Sequence, residues 1–219
     1  MNQVRNVSKL DYKFFYRRNL PHFQTPGATL FVTIRLAGSL PQSVLDELHA
    51  EAERVEKELA GISDPAERAR QTYIEERKHF GRWDRALDTA SSGPYWLRQP
   101  EIAQLVSDSL HFLDGRHYKL DAYSIMSNHV HIVFEPRLQD DGSYCPLAKT
   151  MHSLKLFTAR RANALIGREG QFWHHERYDH EVRDEGEWRR IVTYVLNNPV
   201  KAGLVDDWQD WPWNYYRAE

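Results

Sequence analysis

Cysteine is nearly absent: Cys145 is the single one among 219 residues. That excludes an intramolecular disulfide and a zinc cluster built on thiolates, and it fits a reducing cytoplasm. Long apolar runs are also missing. No stretch approaches the about 18 residues of a membrane span, and Met1 to Leu20 is polar and basic without the apolar segment of a secretory signal. The expectation is a cytoplasmic protein with no membrane partner. Charge of one sign is not in excess, since the formal net charge is only -2. A nucleic-acid partner is therefore not announced by the total, and any basic surface must be local. No G-x-x-x-x-G-K-[ST] string occurs, so the phosphate-cradling loop of nucleotide hydrolases is lacking. What is present is a globular composition, 41% hydrophobic and 27% charged, long enough for one large domain or two small ones.

The most informative stretch is Asn128-His129-Val130-His131-Ile132-Val133-Phe134. Strand side chains alternate faces with period two. His129, His131 and Val133 therefore point one way, and Val130, Ile132 and Phe134 form an apolar face on the other. Two imidazoles side by side are close enough to share one metal ion, a common use of histidine, although an isolated His-x-His is as readily structural. Leu120 to Met126 and Ser127-Asn128 precede the pair, so the region reads as a hairpin over Leu120 to Phe134.

Upstream, Lys13, Arg17 and Arg18 interleave with Tyr12, Phe14, Phe15 and Tyr16 in a segment, residues 1–28, that reads as irregular. Such a mixture either clamps a nucleic-acid backbone while rings stack on bases, or packs as an arm on its own domain. Thr29 to Leu36 is rich in β-branched and aromatic residues and predicts the first strand. Helical spacing follows over residues 43–60, with Ser43 as N-cap. Asp64-Pro65 opens a second helix to about Phe80, and Pro100 opens a third to about Leu113. Between Asp46 and Asp88 there are 12 acidic and 8 basic residues, the mark of a solvated helical face. From Gly142 to Arg168 acids vanish while Lys149, Lys155, Arg160, Arg161 and Arg168 remain. Residues 147–166 predict an amphipathic helix with Leu147, Met151, Leu154, Phe157, Thr158, Ala162 and Leu165 inward. An acid-free basic helix is a local footprint for phosphates, or a plain surface fluctuation. His174 and His175 are adjacent and should point to opposite sides of a strand; Arg177 to Arg183 predicts that last strand.

Asp184 can cap a helix beginning near Glu185. Trp188, Ile191, Val192 and Val195 make its buried stripe. At about 100° per residue, Tyr194 and Asn198 fall on one flank of that stripe, one turn apart, and Asn197 points to water. A phenol and an amide oxygen could then reach a common point that the His129 and His131 face would complete. Pro199 disfavours helical geometry at Asn198, so the helix ends there. Lys201 follows, in reach of a phosphate or of water. The tail holds Trp208, Trp211, Trp213, Tyr215 and Tyr216, which either stack on bases or staple the C-terminus to the domain.

These strings together resemble the HUH single-tyrosine transposases, and among them the REP-associated tyrosine transposase group. The resemblance is carried by Ser127 to Phe134, by Phe172-Trp173 with Arg177-Tyr178-Asp179 and Val182-Arg183-Asp184, and by Tyr194-x-x-x-Asn198-Pro199-Val200-Lys201-Ala202-Gly203-Leu204-Val205. It implies an α+β, ferredoxin-like (RRM-like) antiparallel sheet. The chain would then be one domain, residues 1–219, with a helical insertion at about 43–113 after the first strand and an aromatic tail at 206–219. It implies His129, His131 and Asn198 as ligands of a divalent metal, Mg²⁺ or Mn²⁺, and Tyr194 as the nucleophile. Arg17, Arg18, Lys155, Arg160, Arg161 and Lys201 become candidate DNA contacts. The implied partner is single-stranded or hairpin DNA at a repetitive palindromic element, with the protein a monomer or homodimer. A catalytically silent nucleic-acid-binding protein of the same fold stays open. A hydrolytic two-histidine phosphoesterase would need a second histidine motif, which His152-Ser153 does not supply.

Overall fold

The computed structural model describes residues 25–218 in full and the backbone alone of 15–17 and 21–23. The chain divides into two compact units, one of residues 1–37 with 96–219 and one of residues 38–95.

The larger unit is built on a five-stranded antiparallel sheet. Its strands are β3 (Leu30–Leu36), β4 (Tyr118–Ile125), β5 (His129–Pro136), β6 (Trp173–Glu181) and β7 (Asn214–Tyr216), in the order β6-β3-β5-β4-β7. Every neighbouring pair is antiparallel. With α3 (Pro100–Leu113) before β4 and α4 (Leu147–Leu165) before β6, the first four strands reproduce the β-α-β-β-α-β order of a ferredoxin-like domain. The fold class expected from the sequence is thus the one observed. β1 (Phe15–Arg17) and β2 (Pro21–Phe23) pair with one another in a segment that reads as irregular; their Phe and Tyr residues favour extended chain. Arg17 contributes only backbone to this description, and Arg18 lies outside the described residues.

Alternation sorts the sheet into two faces. Val32, Ile34, Val130, Ile132 and Phe134 join Ile102, Val106 and Leu110 of α3 and Met151 and Leu154 of α4 in one core cluster. Burying a side chain of this size is worth about 1.5–3 kcal/mol, so this face anchors the unit. The opposite face is covered by α5 (Glu185–Leu196). The expected inward stripe of α4 is corrected at two positions: Phe157 and Leu165 are 54% and 59% exposed. Thr158 and Ala162 are buried as expected and Thr150 joins them, and the Trp173 indole N–H donates to Thr158 Oγ1 at 2.8 Å.

His174 and His175 do not diverge as alternation predicts; their rings stack with centroids 4.7 Å apart. The register with β3 slips between Ile34 and Leu36, which pair with Arg177 and Trp173. β6 spends four steps there against two of β3, and the two extra residues make a bulge that suspends alternation. The tail is a staple, and more than that, since it adds β7 to the sheet. Trp211 Nε1 donates to the Ile125 carbonyl at 3.1 Å, and Tyr215 stacks on Tyr123.

The smaller unit is a helix pair, α1 (Gln42–Ala60) and α2 (Pro65–Asp88), joined through Leu40, Leu48 and Leu87. Pro41, not Ser43, is the N-cap of α1 and makes no side-chain cap, whereas Asp64 accepts from Ala66 N at 3.0 Å as a true cap of α2. α2 runs past Phe80 because Trp83 and Leu87 still pack toward α1. Arg54–Glu58, Arg70–Glu67 and Lys78–Glu75 decorate the outside. α3 lies in the larger unit, and α1 and α2 make up the smaller one. No helix among the described residues is long and apolar enough to cross a membrane.

Candidate active site

α5 is held over its sheet face from both ends. Asp184 caps it by accepting from Glu187 N at 2.7 Å. The buried Glu187 carboxylate accepts from Arg183 N at 2.9 Å and meets His180 Nε2 at 3.2 Å, tying the helix start to β6. Trp188 Nε1 donates to Asp121 Oδ2 of β4 at 2.9 Å. At the other end Asn214 Nδ2 donates to the Leu196 carbonyl at 2.9 Å. Burial lifts the Asp121 carboxyl above its usual range, and the Trp188 bond opposes that.

The helix stops at Leu196, two residues before the Asn198 end that Pro199 alone suggests. Asn197 breaks the regular dihedrals with ψ 0, and α6 (Asn198–Lys201) begins directly after it. Pro199 fits the first turn of α6 because no helical N–H is required there. Gly203, at φ 68, takes the left-handed conformation that ends this turn. The break turns Asn198 inward, where it is fully buried, while Asn197 is exposed.

Four residues separated in sequence meet there. His129 Nε2 and His131 Nε2 lie 3.1 Å apart, and Asn198 Nδ2 is 3.2 Å from His131 Nε2. The same amide nitrogen reaches the Tyr194 hydroxyl at 3.4 Å. Tyr194 stands edge-on to His131 at 5.7 Å between centroids and edge-on to Phe31 at 6.3 Å. Lys201 Nζ lies 5.5 Å from the centre of the Tyr194 ring.

Sequence reasoning did not single out three neighbours. Thr33 is paired with His131 across β3 and β5, and its Oγ1 lies 2.8 Å from His131 Nδ1. Asn128 Oδ1 lies 2.7 Å from His129 Nδ1. Arg35 pairs with His129 in register; burial lowers its guanidinium pKa to about 10, with Glu176 opposing. Asn128 was visible as the neighbour of the motif, but Thr33 and Arg35 depend on strand register.

The donor set suits a divalent cation of borderline or hard character: two imidazole nitrogens and one amide oxygen. Asn198 Oδ1 is buried with no hydrogen-bond partner, a costly state for a neutral polar atom. An electron-poor ligand would relieve it.

The expected DNA contacts scatter. Arg160 and Arg161 are exposed on the outside of α4, and Lys201 is exposed near Tyr194. Lys155 instead donates its ammonium protons to the carbonyls of His174, His175 and Glu176 at 2.7, 3.2 and 3.3 Å, knitting α4 to the β6 bulge.

No protein-family model matches the chain. It is 27% identical over 110 residues to a putative REP-associated tyrosine transposase of Haemophilus influenzae, covering 47% of this chain and 62% of that protein. It is 27% identical over 105 residues to the REP-associated tyrosine transposase of Escherichia coli, covering 48% and 58%. The chain is similar to REP-associated tyrosine transposases. The matched region spans about three fifths of the length of these curated relatives. A solved REP-associated tyrosine transposase, itself bound to a REP hairpin, superposes with a TM-score of 0.50 at 17% identity, over 91% of this chain and 80% of that one. That likeness to a REP-associated tyrosine transposase concerns the fold.

Proposed function

We propose that the chain is a metal-dependent transposase of the HUH single-tyrosine kind, cleaving and rejoining single-stranded DNA beside a hairpin. The observation that supports this most is the meeting of His129, His131, Asn198 and Tyr194 at one point, from two elements far apart in sequence. His129, His131 and the Asn198 amide oxygen would hold Mg²⁺ or Mn²⁺. Such an ion supplies Lewis-acid neutralisation of the scissile phosphate.

The chain's own residues do the rest. The Tyr194 oxygen attacks phosphorus, the bond to the 3′-oxygen breaks, and a 5′-phosphotyrosine and a free 3′-hydroxyl result. The phenolic proton leaves to solvent, and the departing oxygen takes one up. A phenol with an ordinary pKa near 10 is a poor nucleophile at neutral pH. Its placement beside the amide and imidazoles, with Phe31 against its ring, therefore serves orientation first. Lys201 lies 5.5 Å from the centre of that ring, on the side where a phosphate oxygen would come. The tyrosyl ester retains the phosphodiester energy, so the reverse attack rejoins strands without a nucleotide, in keeping with the missing phosphate loop.

Incubating the protein with hairpin oligonucleotides and Mn²⁺, then searching by mass spectrometry for a DNA-linked Tyr194 peptide, tests the reading. Tyr194→Phe should abolish the adduct and keep binding. An adduct persisting in that variant refutes the nucleophile. Binding without any cleavage by the unsubstituted protein identifies a catalytically silent nucleic-acid-binding protein.

A further inference from the structure

We propose that the exposed side of α4 around Phe157 is a second DNA-binding surface, where the ring stacks on an unpaired base of the substrate strand while Arg160 and Arg161 hold the adjoining phosphates. The proposal rests on the reading of the chain as a protein that acts on single-stranded DNA beside a hairpin.

Phe157 is 54% exposed, and Arg160 and Arg161 are exposed beside it. Residues three and four apart are neighbours on a helix surface. At about 100° per residue the ring falls between the two guanidinium groups, with Arg160 about 60° to one side and Arg161 about 40° to the other. A single exposed apolar side chain needs no explanation. On this helix Leu156 and Leu165 are exposed as well, at 43% and 59%, so its outward side carries a patch. No Asp or Glu occurs from Gly142 to Arg168, so no acid of this helix neutralises the arginines.

That chemistry fits one class of partner. Surfaces that bind single strands combine cations that follow the backbone with rings on which bases stack. In a duplex both faces of a base are already stacked on neighbours, so a protein ring competes only for an unpaired or terminal base. Guanidinium groups on either side present planar donors suited to phosphate oxygens.

The patch is set apart from the reacting groups. α4 packs through Met151 and Leu154 on the sheet face that carries Val130, Ile132 and Phe134. His129 and His131 lie on the other face by strand alternation, where Asn198 and Tyr194 meet them. The two surfaces are thus on opposite sides of the sheet. A layer spacing of about 10 Å and a rise of about 3.4 Å per nucleotide put the stacked base at least about three nucleotides from the cleaved phosphate. The patch therefore grips a flank of the substrate and adds affinity away from the chemistry.

The test uses the full chain and fluorescence anisotropy, with a hairpin oligonucleotide bearing single-stranded flanks and a fully paired duplex as control. Phe157→Leu keeps an apolar side chain and removes the flat ring, whereas Phe157→Tyr keeps the ring. Phe157→Leu should weaken binding of the flanked hairpin about 5–100-fold, the range of one lost base stack. Phe157→Tyr should restore it, and the duplex should not distinguish the three proteins. A 2-aminopurine moved through the flanks should find a position, three or more nucleotides from the cleaved phosphate, whose fluorescence responds to the unsubstituted protein and not to Phe157→Leu. Affinity unchanged within twofold in Phe157→Leu, or an equal loss for the duplex, overturns the stacking surface. A dimer in sedimentation that Phe157→Leu dissociates, with DNA affinity unchanged, overturns it as well and assigns the patch to a second copy of the chain. Absence of binding to every oligonucleotide by the unsubstituted protein overturns the DNA reading and the surface together. Phe157-dependent binding without a Tyr194 adduct in Mn²⁺ sinks the transposase reading and upholds the surface.

Discussion

Lys155 separates two uses of a basic helix, and Lys155→Met is the substitution that tells them apart. In the sequence this lysine belongs to an acid-free run and reads as a phosphate contact. In the structure its ammonium donates to three carbonyls of the β6 bulge, at 2.7, 3.2 and 3.3 Å. Those carbonyls lie where the register with β3 slips. A hydrogen bond to a charged group contributes about 1.5–3 kcal/mol. The three here share one donor at a half-buried site, and water reaches some of the acceptors once the lysine is gone. The net loss should be about 2–3 kcal/mol rather than the sum. Methionine keeps the aliphatic stem on the protein surface, so packing is largely spared. At about 2–4 °C per kcal/mol for a domain of this size, Tm should drop by roughly 4–12 °C. Urea unfolding and fluorescence anisotropy with a hairpin oligonucleotide are measured together. The expectation is a lower urea midpoint with hairpin affinity unchanged within twofold. Stability kept to within about 0.5 kcal/mol, a typical surface effect, with weaker and less salt-dependent binding, would refute the structural role.

Arg160 and Arg161, exposed on the same helix, should behave in the opposite way. The double Glu variant should fold with unchanged Tm, weaken hairpin binding, and lower the log–log salt slope by up to about two, as expected for two lost phosphate contacts. His174 should titrate far below an ordinary imidazole. Its burial, with Arg35, His175 and Lys155 nearby, lowers its pKa from 6.5 to about 4. The unfolded chain then takes the proton first, so the stability linked to this histidine is present above pH 6.5 and is lost as pH falls toward 4. An NMR titration midpoint near 6.5 would contradict the placement.

Much of the architecture was legible because local chemistry announces it. The alternation of Val130, Ile132 and Phe134 against His129, His131 and Val133 settled which side of β5 meets the core. Pro100 and Asp64-Pro65 marked helix starts, and the Asp184 cap together with the flank shared by Tyr194 and Asn198 placed the phenol near the sheet. Each of these needs only a few consecutive residues and a fixed period. The misreadings arose where longer-range forces prevailed. His174 and His175 stack because a bulge cancels alternation, and the tail became β7 because an unpaired β4 edge was available to it. The neighbours of the histidines are of the same kind. Thr33 stands nearly a hundred positions from His131, and only the pairing of β3 with β5 puts its hydroxyl on that ring. Sequence alone marked which side chains are candidates to bind or react, because periodicity and caps are written locally. Tertiary structure decided which partners hold them, because strand register and helix docking are set by burial across the whole sheet.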